Sequence, residues 1–395
     1  MSILLTGVDG YLGWPTALRL ATQTDDRIVC VDNFGRREWV EEIGSVSATT
    51  IADIETRLEA AEEVHDIQNL SFVKGDLTDR DFVYELLEVH EPHTVVHAAA
   101  QPSAPYSQIN GERANYTQHN NLQSTRNLLW GLHENDLSDT HFIETTTTGV
   151  YGAPKFPIPE GGATMHNEGE SDEVPFPAMA GSWYHLTKSH DAANIRLAHK
   201  QFDIPTSDVR TAIVYGTETE ETRADDRLKT RFDFDYYFGT VGHRFAAQAV
   251  AGYPVTVYGK GEQRKPFISL EDSVEGLVNL ALTDPDDRPD DHVVYNQTTR
   301  AISIVEIAET IADIGSQFDL DVDVEHFENP RDEDETHQME IENDRYMSLL
   351  DEQQQTFAEG VEDIFETLVR YQDTVEAYED RFLPGVLVDR LEEDN

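Results

Sequence analysis

The chain has one cysteine and no long apolar run. A single cysteine, Cys30, excludes an internal disulfide framework and a zinc site built from cysteines. Because Cys30 lies in an apolar run, 28–31, we expect a buried structural thiol. No stretch approaches the ~20 apolar residues of a membrane span. A strand is predicted so close to Met1 that a cleaved signal sequence has no room. We therefore expect a cytoplasmic protein.

Positive charge is also scarce. Lys plus Arg total 29 against 77 Asp plus Glu, which gives a formal net charge of −48 over 395 residues. The acidic residues are spread along the chain instead of forming one tail. Such a surface is typical of a protein that stays dissolved in concentrated salt, where repulsion between like charges is screened. It disfavours nucleic acid and anionic membranes as partners, and the length suits one two-lobed enzyme.

A glycine loop follows the apolar strand predicted at residues 2–6. Gly7, Gly10 and Gly13 stand three apart and a helical pattern comes next. Strand, glycine loop and helix together point backbone N–H groups at a pyrophosphate, although the spacing differs by one residue from the Gly-x-Gly-x-x-Gly fingerprint. The predicted dinucleotide contacts of this loop are Gly7, Gly10, Tyr11 and Leu12.

Acidic residues that follow the next two predicted strands indicate which dinucleotide binds. Asp32, after strand 27–31, can accept hydrogen bonds from the adenosine ribose, which favours NAD because a 2′-phosphate would be repelled. Arg36 and Arg37 follow Asp32 in the sequence, and arginine there could instead bind a phosphate, so that alternative stays open. Asp76, after strand 70–73, would accept from the adenine amino group or, as the alternative, cap a helix. The NAD contacts predicted along the strand ends are Asp32, Asn33, Arg36, Asp76, Leu77, Ala98 and Gln101.

Short apolar strands alternate with helical patterns, including strands at 94–97, 141–144 and 207–215. The alternation predicts an α/β fold, a Rossmann-type doubly wound parallel sheet, with a smaller, interleaved C-terminal substrate lobe. We predict an NAD-binding domain at residues 1–210, in which 153–182 form a loop over the site. Residues 211–395 are predicted to form the substrate lobe and a helical cap, with some exchange of chain between lobes. A long amphipathic helix is predicted at 41–67, and 217–235 is a second polar excursion.

Tyr184 and Lys188 are four residues apart and share one helix face. An ammonium group beside a phenol favours phenolate, so we expect a lowered pKa for Tyr184 and a role as base and acid near neutral pH. Taken alone, a tyrosine and a lysine one helical turn apart would be read as ordinary helix surface. Thr147 follows the fifth strand at the sheet edge where ligands bind, and is predicted to contact the substrate.

Together, the glycine loop, Asp32, Gly75-Asp76-Leu77, Thr147 and Tyr184-x-x-x-Lys188 resemble the extended short-chain dehydrogenases/reductases, and among them the members that modify sugar nucleotides. The similarity runs from residue 3 to about residue 340. Several segments match the branch that adds sulfite to UDP-glucose: 9–14, 31–33, 36–37, 103–107, 116–121, 184–191, 238–240, 256–261 and 329–331.

The resemblance implies a cycle in which NAD takes hydride from C4 of UDP-glucose and later returns it. Tyr184, Lys188 and Thr147 handle the 4-hydroxyl, the 6-hydroxyl leaves as water, and sulfite, free or from a donor protein, adds at C6. His185 is the candidate proton carrier for the elimination, or else a packed helix residue. The resemblance also implies a homodimer and a contact of Asn121 with NAD. Its substrate contacts are Gln101, Thr147, Gly149, Arg244, Gln263, Lys265 (or Arg264) and Arg331, since cationic side chains hold a diphosphate.

Two residues depart from the family pattern. Pro102 stands where arginine is typical, and Val150 stands where glutamate is typical. Both losses leave the hydride chemistry intact and weaken the case for sulfonation. A UDP-hexose 4-epimerase or related epimerase/dehydratase is therefore the second hypothesis, and a non-catalytic NAD-binding regulator is the third. No residue pattern predicts a metal site.

Overall fold

Strands and helices alternate through the residues that the computed structural model describes, which are 1–176, 178–284, 287, 292–328, 338–351 and 354–384. The strands are β1 Ser2–Thr6, β2 Arg27–Asp32, β3 Leu70–Lys74, β4 Thr94–His97, β5 His141–Thr147, β6 Gly162–Asn167, β7 Glu170–Pro175, β8 Thr206–Thr211, β9 Ile213–Tyr215, β10 Val255–Tyr258, β11 Arg264–Ser269, β12 His292–Gln297, β13 Arg300–Ser303 and β14 Val324–Phe327. The α-helices are α1 Gly13–Gln23, α2 Gly35–Glu42, α3 Ile54–His65, α4 Arg80–His90, α5 Gly111–Glu134, α6 Trp183–Phe202, α7 Glu220–Arg223, α8 Val241–Val250, α9 Leu270–Ala281, α10 Ile304–Gly315, α11 Asp344–Met347, α12 Phe357–Leu368 and α13 Gln372–Glu376.

Seven parallel strands form the central sheet, in the order β12-β8-β5-β4-β1-β2-β3. Strand β1 is buried along its whole length because helices cover both faces of the sheet. Ile3 and Leu5 face the core shared with α1 and α9, while Leu4 faces the core shared with α4, α5 and α6. The strand order reverses beside β1, which leaves a crevice at the carboxyl ends of β1 and β4. The predicted doubly wound α/β fold is confirmed.

A smaller lobe is built around helices α8, α10 and α12, which share their own apolar core. The single strand predicted at 207–215 is wrong, because β8 ends at Thr211 in the large sheet and β9 begins at Ile213 in a three-stranded sheet with β11 and β13. The chain thus passes from one lobe to the other at Ala212. Strand β12 then returns to the large sheet beside β8, so residues after 211 contribute to both lobes.

The first polar excursion is not the single helix predicted over 41–67. Helix α2 ends at Glu42, and α3 begins after Asp53, whose side chain accepts a hydrogen bond from the Thr56 amide at 2.8 Å. The segment between them pairs with the second excursion, where the Ala48 amide donates to the Phe232 carbonyl at 2.9 Å. The two excursions therefore support each other.

Residues 153–182 contain a hairpin of β6 and β7 instead of the irregular loop expected there. The described residues of this segment do not line the cavity at the carboxyl ends of the strands. In the part of the chain that the structure describes, no helix is both long and apolar enough to cross a bilayer.

Replacing Gly13 with alanine should disrupt the turn between β1 and α1. A Cβ atom at Gly13 would lie 2.1 Å from the Gly7 carbonyl oxygen, so the glycine loop must move. We expect Gly13→Ala to lose at least about tenfold in NAD affinity, or ~1.4 kcal/mol, measured by titration calorimetry. Gly111 also begins a helix, and a Cβ there meets nothing within 4 Å. Gly111→Ala should bind NAD normally, and equal affinities for the two variants would contradict this account of the loop.

Candidate active site

A cavity of about 530 Å³ lies at the carboxyl ends of the central strands, between the two lobes. It brings together most of the residues predicted for the cofactor and for the substrate. The predicted residues that line it are Gly7, Gly10, Tyr11, Leu12, Asp32, Asn33, Arg36, Asp76, Leu77, Ala98, Thr147, Tyr184, Lys188, Arg244, Gln263 and Lys265. One cavity therefore joins the glycine loop to the Tyr184 helix.

The glycine loop forms the cofactor end of this cavity. Gly7 has φ +78°, and a Cβ there would lie 2.7 Å from the Ala99 amide nitrogen, so only glycine fits. The Gly10 amide donates to the Gly7 carbonyl at 3.1 Å and closes the turn. Leu12 occupies the N-cap of α1, where no described side chain caps the helix. The first amides of α1 can therefore bind a phosphate.

Asp32 lies at the end of β2, where the adenosine ribose was predicted. Its two carboxylate oxygens accept hydrogen bonds from the Phe34 amide at 2.6 Å and the Asp9 amide at 2.9 Å. Burial raises the pKa of Asp32 to about 6. These bonds orient the carboxylate and leave lone pairs for ribose hydroxyls, so the cavity end fits NAD.

Asp76 lines the cavity beside this end and accepts hydrogen bonds from the Thr78 amide and hydroxyl, both at 2.8 Å. The alternative that Asp76 caps a helix is wrong, because Asp79 is the N-cap of α4.

The two arginines after Asp32 are held by different carboxylates. Arg36 binds Asp233 through Nε and Nη2 at 3.1 and 2.6 Å, and its Nη1 meets no partner among the described residues. Arg36 is a lining residue of the cavity, and this one buried donor of its guanidinium stays unsatisfied among the described residues. Arg37 forms a fork with the Asp9 carboxylate at 2.7 Å and is not among the lining residues.

Helix α6 carries Tyr184 and Lys188 and is fixed at its first turn. The Ser182 hydroxyl accepts from the His185 amide at 3.0 Å, and the Ser107 hydroxyl accepts from the Tyr184 amide at 3.1 Å. One turn further on, Lys188 is buried and donates through Nζ to Glu144 Oε1 at 2.8 Å. Thr147 lines the same cavity at the end of β5.

The expected lowering of the Tyr184 pKa is wrong. Burial raises the pKa of Tyr184, and the nearby carboxylates Glu144 and Asp191 raise it further against the lowering effect of Lys188. The prediction considered the lysine without its buried counter-ion.

Several predicted residues lie outside the cavity wall. The Asn121 side chain accepts from the Gln101 amide at 2.8 Å and donates to the Gln101 carbonyl at 3.1 Å, so these two residues fix a loop instead of lining the cavity. Gly149 and His185 are also absent from the lining, and a Cβ at Gly149 would lie 2.4 Å from His185 Nε2. Of the two alternatives Lys265 and Arg264, Lys265 lines the cavity, whereas Arg264 pairs with Glu306 at 2.8 Å and does not line it. Arg331 lies outside the described residues.

The cavity is also lined by residues that the sequence did not single out for contact. An aromatic wall comes from the segment before α8, and further polar groups come from β10 and α5: Tyr236, Tyr237, Phe238, Thr256, Tyr258, Asn120 and Ser124. Some of these segments had been noted only for their family resemblance. Pro102 also lines the cavity, while Val150 is buried in an apolar cluster.

The fold and the cavity place the chain in a known class of enzymes. The sequence profile described as the NAD dependent epimerase/dehydratase family matches residues 3–296. The chain belongs to this family, which confirms the predicted cofactor NAD and the resemblance to sugar-nucleotide-modifying enzymes.

Two curated relatives cover most of the chain. UDP-sulfoquinovose synthase of Sulfolobus acidocaldarius is 36% identical over 97% of this chain and 96% of its own length. The chloroplastic UDP-sulfoquinovose synthase of Spinacia oleracea is 38% identical over 85% of this chain and 68% of its own length. Among solved structures, a mutant UDP-glucuronic acid 4-epimerase from Bacillus cereus, in complex with UDP-4-deoxy-4-fluoro-glucuronic acid and NAD, has a TM-score of 0.69 at 21% identity. The match covers 94% of this chain and 99% of the epimerase chain. This likeness shows the fold.

Replacing Asp233 with asparagine should destabilise the protein strongly. Asp233 also accepts from Arg231 Nε at 2.8 Å, so its replacement leaves the buried Arg231 and the largely buried Arg36 without this counter-ion. We expect a loss of about 3–5 kcal/mol in the free energy of unfolding, measured by urea denaturation. Asp226→Asn is the control, because Asp226 is 83% exposed in its pair with Lys229 and should cost ~0–1 kcal/mol.

The pH dependence of this effect has a defined sign. Burial alone would raise the pKa of Asp233, but the charges of Arg231 and Arg36 hold the pKa well below the usual carboxyl value. The stabilisation is therefore present above about pH 4 and is lost as the pH falls further. A difference between wild type and Asp233→Asn that stays constant down to pH 2 would contradict this.

Proposed function

We propose that the protein uses NAD to convert UDP-glucose and sulfite into UDP-sulfoquinovose. One observation carries the proposal: a single cavity joins the glycine loop to Thr147, Tyr184 and Lys188. The relatives that share most of its length and are named UDP-sulfoquinovose synthases support it. Assembly as a homodimer, residence in the cytoplasm and a surface adapted to concentrated salt stay predictions from the sequence.

Bound NAD would accept hydride from C4 of the sugar and return it at the end of the cycle. Tyr184 would take the proton of the 4-hydroxyl as hydride leaves, while the Thr147 hydroxyl hydrogen-bonds the same oxygen. A carbonyl at C4 makes the C5 hydrogen acidic, so the C5 proton and the 6-hydroxyl leave together as water. The sulfur lone pair of sulfite then bonds to C6 while a proton returns to C5. Tyr184 finally returns its proton to the oxygen at C4.

The diphosphate of the substrate would lie against the smaller lobe. Arg244, Gln263 and Lys265 line that part of the cavity, and the Arg244 guanidinium lies 5.9 Å from the Tyr236 ring centre. In a protein with so few cations, two cationic residues at one wall suit an anionic substrate. Arg331 stays a candidate from the family resemblance.

A UDP-hexose 4-epimerase is the second candidate. Pro102 lines the cavity without offering a side-chain donor, and Val150 is packed among apolar side chains. Neither contributes a charge for sulfite or for elimination. An epimerase needs only Tyr184, Lys188 and Thr147, together with a 4-keto sugar that is free to rotate in the cavity before hydride returns to C4.

The two candidates differ in their products from UDP-glucose. Incubated with NAD, UDP-glucose and sulfite, the protein should form a sulfonated sugar nucleotide detectable by mass spectrometry. Tyr184→Phe should slow this by about 10²–10⁴-fold, because general acid–base catalysis is lost. Tyr378→Phe, in the smaller lobe, is the matched control and should keep the wild-type rate. Formation of UDP-galactose without any sulfonated product would favour the epimerase.

His185 stays a candidate proton carrier for the elimination. Its ring centre lies 5.3 Å from that of Tyr184, although His185 is outside the cavity lining. We expect His185→Ala to form no sulfonated product while UDP-glucose still reduces part of the bound NAD, followed by NADH absorbance. Full synthase activity in this variant would remove the assigned role.

A further inference from the structure

We propose that Glu144 is a positioning residue, whose buried carboxyl group holds Lys188 and opposes its charge, and so sets the pH at which Tyr184 releases its proton. This rests on the proposed function, in which Tyr184 takes the sugar proton. The sequence offered no sign of this role, since Glu144 lies inside β5 and is three residues before Thr147.

The sheet register places Glu144 in a polar row beneath α6. His97 on β4 and Asp208 on β8 are its direct partners in the parallel ladder, so all three side chains point to the same face. Helix α6 covers this face and contributes Lys188, whose Nζ lies 2.8 Å from Glu144 Oε1 and 3.9 Å from Asp191 Oδ2. Glu144 itself is fully buried.

The two neighbours of Glu144 in the row, His97 and Asp208, have different partners. His97 Nε2 lies 3.8 Å from Glu144 Oε2, and His97 Nδ1 is 2.7 Å from the Thr6 hydroxyl. Burial, reinforced by Lys188, holds the pKa of His97 well below its ordinary value, so the ring is neutral. Asp208 is bound at 2.9 Å by Arg210 Nε from the same strand and also accepts a hydrogen bond from the Thr146 hydroxyl.

The described charges of this cluster do not balance when all are ionised. Glu144, Asp191 and Asp208 face two cations, Lys188 and Arg210, so burial favours one retained proton. Asp208 is held by its own arginine, which leaves Glu144 and Asp191. Burial raises the pKa of Asp191 to about 6 and that of Glu144 to about 8. Glu144 and Asp191 therefore share the retained proton beside Lys188 and release it as the pH rises.

The charge state of Glu144 acts on Tyr184 through Lys188. Once ionised, Glu144 cancels the ammonium charge and raises the pKa of the buried phenol, while Arg36 from α2 acts in the opposite direction. An amide at this position can still accept the hydrogen bond from Lys188 but cannot cancel its charge. Removing the carboxylate should therefore make phenolate form at lower pH.

The test compares E144Q with E144D and with E221Q. The first step is followed as NADH formation after UDP-glucose is added to the NAD-loaded enzyme, from pH 6 to pH 10. We expect the midpoint of the rise in rate to move about one pH unit lower in E144Q, as for loss of a neighbouring charge. E144D retains a carboxylate and should keep the wild-type midpoint. E221Q removes a buried carboxylate bound to Arg19 at 2.8 Å, outside the cavity, and should leave the midpoint unchanged.

An unchanged midpoint in folded E144Q overturns the proposal, and so does an equal shift in E221Q. The same variants also give a readout without turnover. Since the folded pKa of Glu144 lies above its unfolded value, its contribution to stability is present at low pH and is lost as the pH rises towards 8. The melting temperature of E144Q relative to wild type should therefore rise from pH 5 to pH 8, and a constant difference contradicts the assignment. If wild type forms no NADH from UDP-glucose at any pH, the proposed function fails, while the melting comparison still tests Glu144.

Discussion

Pairing of buried cations is the constraint on which the site depends. A chain with 29 cationic side chains and 77 acidic ones could place every cation at the surface as a counter-ion. Instead Arg57, Arg231 and Lys188 are almost completely buried. Removing such an ion from water costs several kcal/mol, which only a close counter-ion offsets. Each buried cation therefore fixes the position of a carboxylate, and one of these cations, Lys188, lines the cavity.

The same pairs join segments that are distant in the sequence. Arg57 on α3 binds Asp9 of the glycine loop at 3.2 Å and donates to the Lys229 carbonyl at 2.6 Å. Its guanidinium also lies 4.6 Å from the Trp14 ring centre, and Trp14 Nε1 donates to the Leu228 carbonyl at 2.8 Å. The glycine loop is thus held from behind by both polar excursions. Regions that look like insertions in the sequence are part of the frame that presents the cofactor site.

Local patterns were sufficient to predict the frame of the fold. Strands β1 and β4 have the predicted bounds, because a strand buried on both faces is a short uninterrupted apolar run between polar ends. The same signal cannot tell which sheet a strand joins, so the crossing at Ala212 inside the run 207–215 was missed. The hairpin β6–β7 inside the loop predicted at 153–182 was missed for the opposite reason, since it is exposed and has no buried face to give it a pattern.

Site residues were predictable where the backbone alone places them. Gly7, Asp32 and Tyr184 follow from their positions at strand and helix ends, whereas Gln101 and Asn121 have the same polar character and bind each other. The pKa of Tyr184 depends on a carboxylate 44 residues upstream of Lys188, which no spacing rule connects to it. Long-range pairs of this kind decide the electrostatics of a site without leaving a local motif.

The two departures from the family pattern have different physical consequences. Val150 packs with Tyr151, Ile158 and Phe176 beside the hairpin, so a glutamate there would be buried among apolar side chains. Valine at this position suits the apolar packing. It changes no charge in the cavity, because Val150 does not line it. Pro102 does line the cavity, so the missing arginine removes a cation from the wall itself. An anion such as sulfite would then depend on Arg36 and on the cations of the smaller lobe, Arg244 and Lys265, for positive charge at the cavity wall.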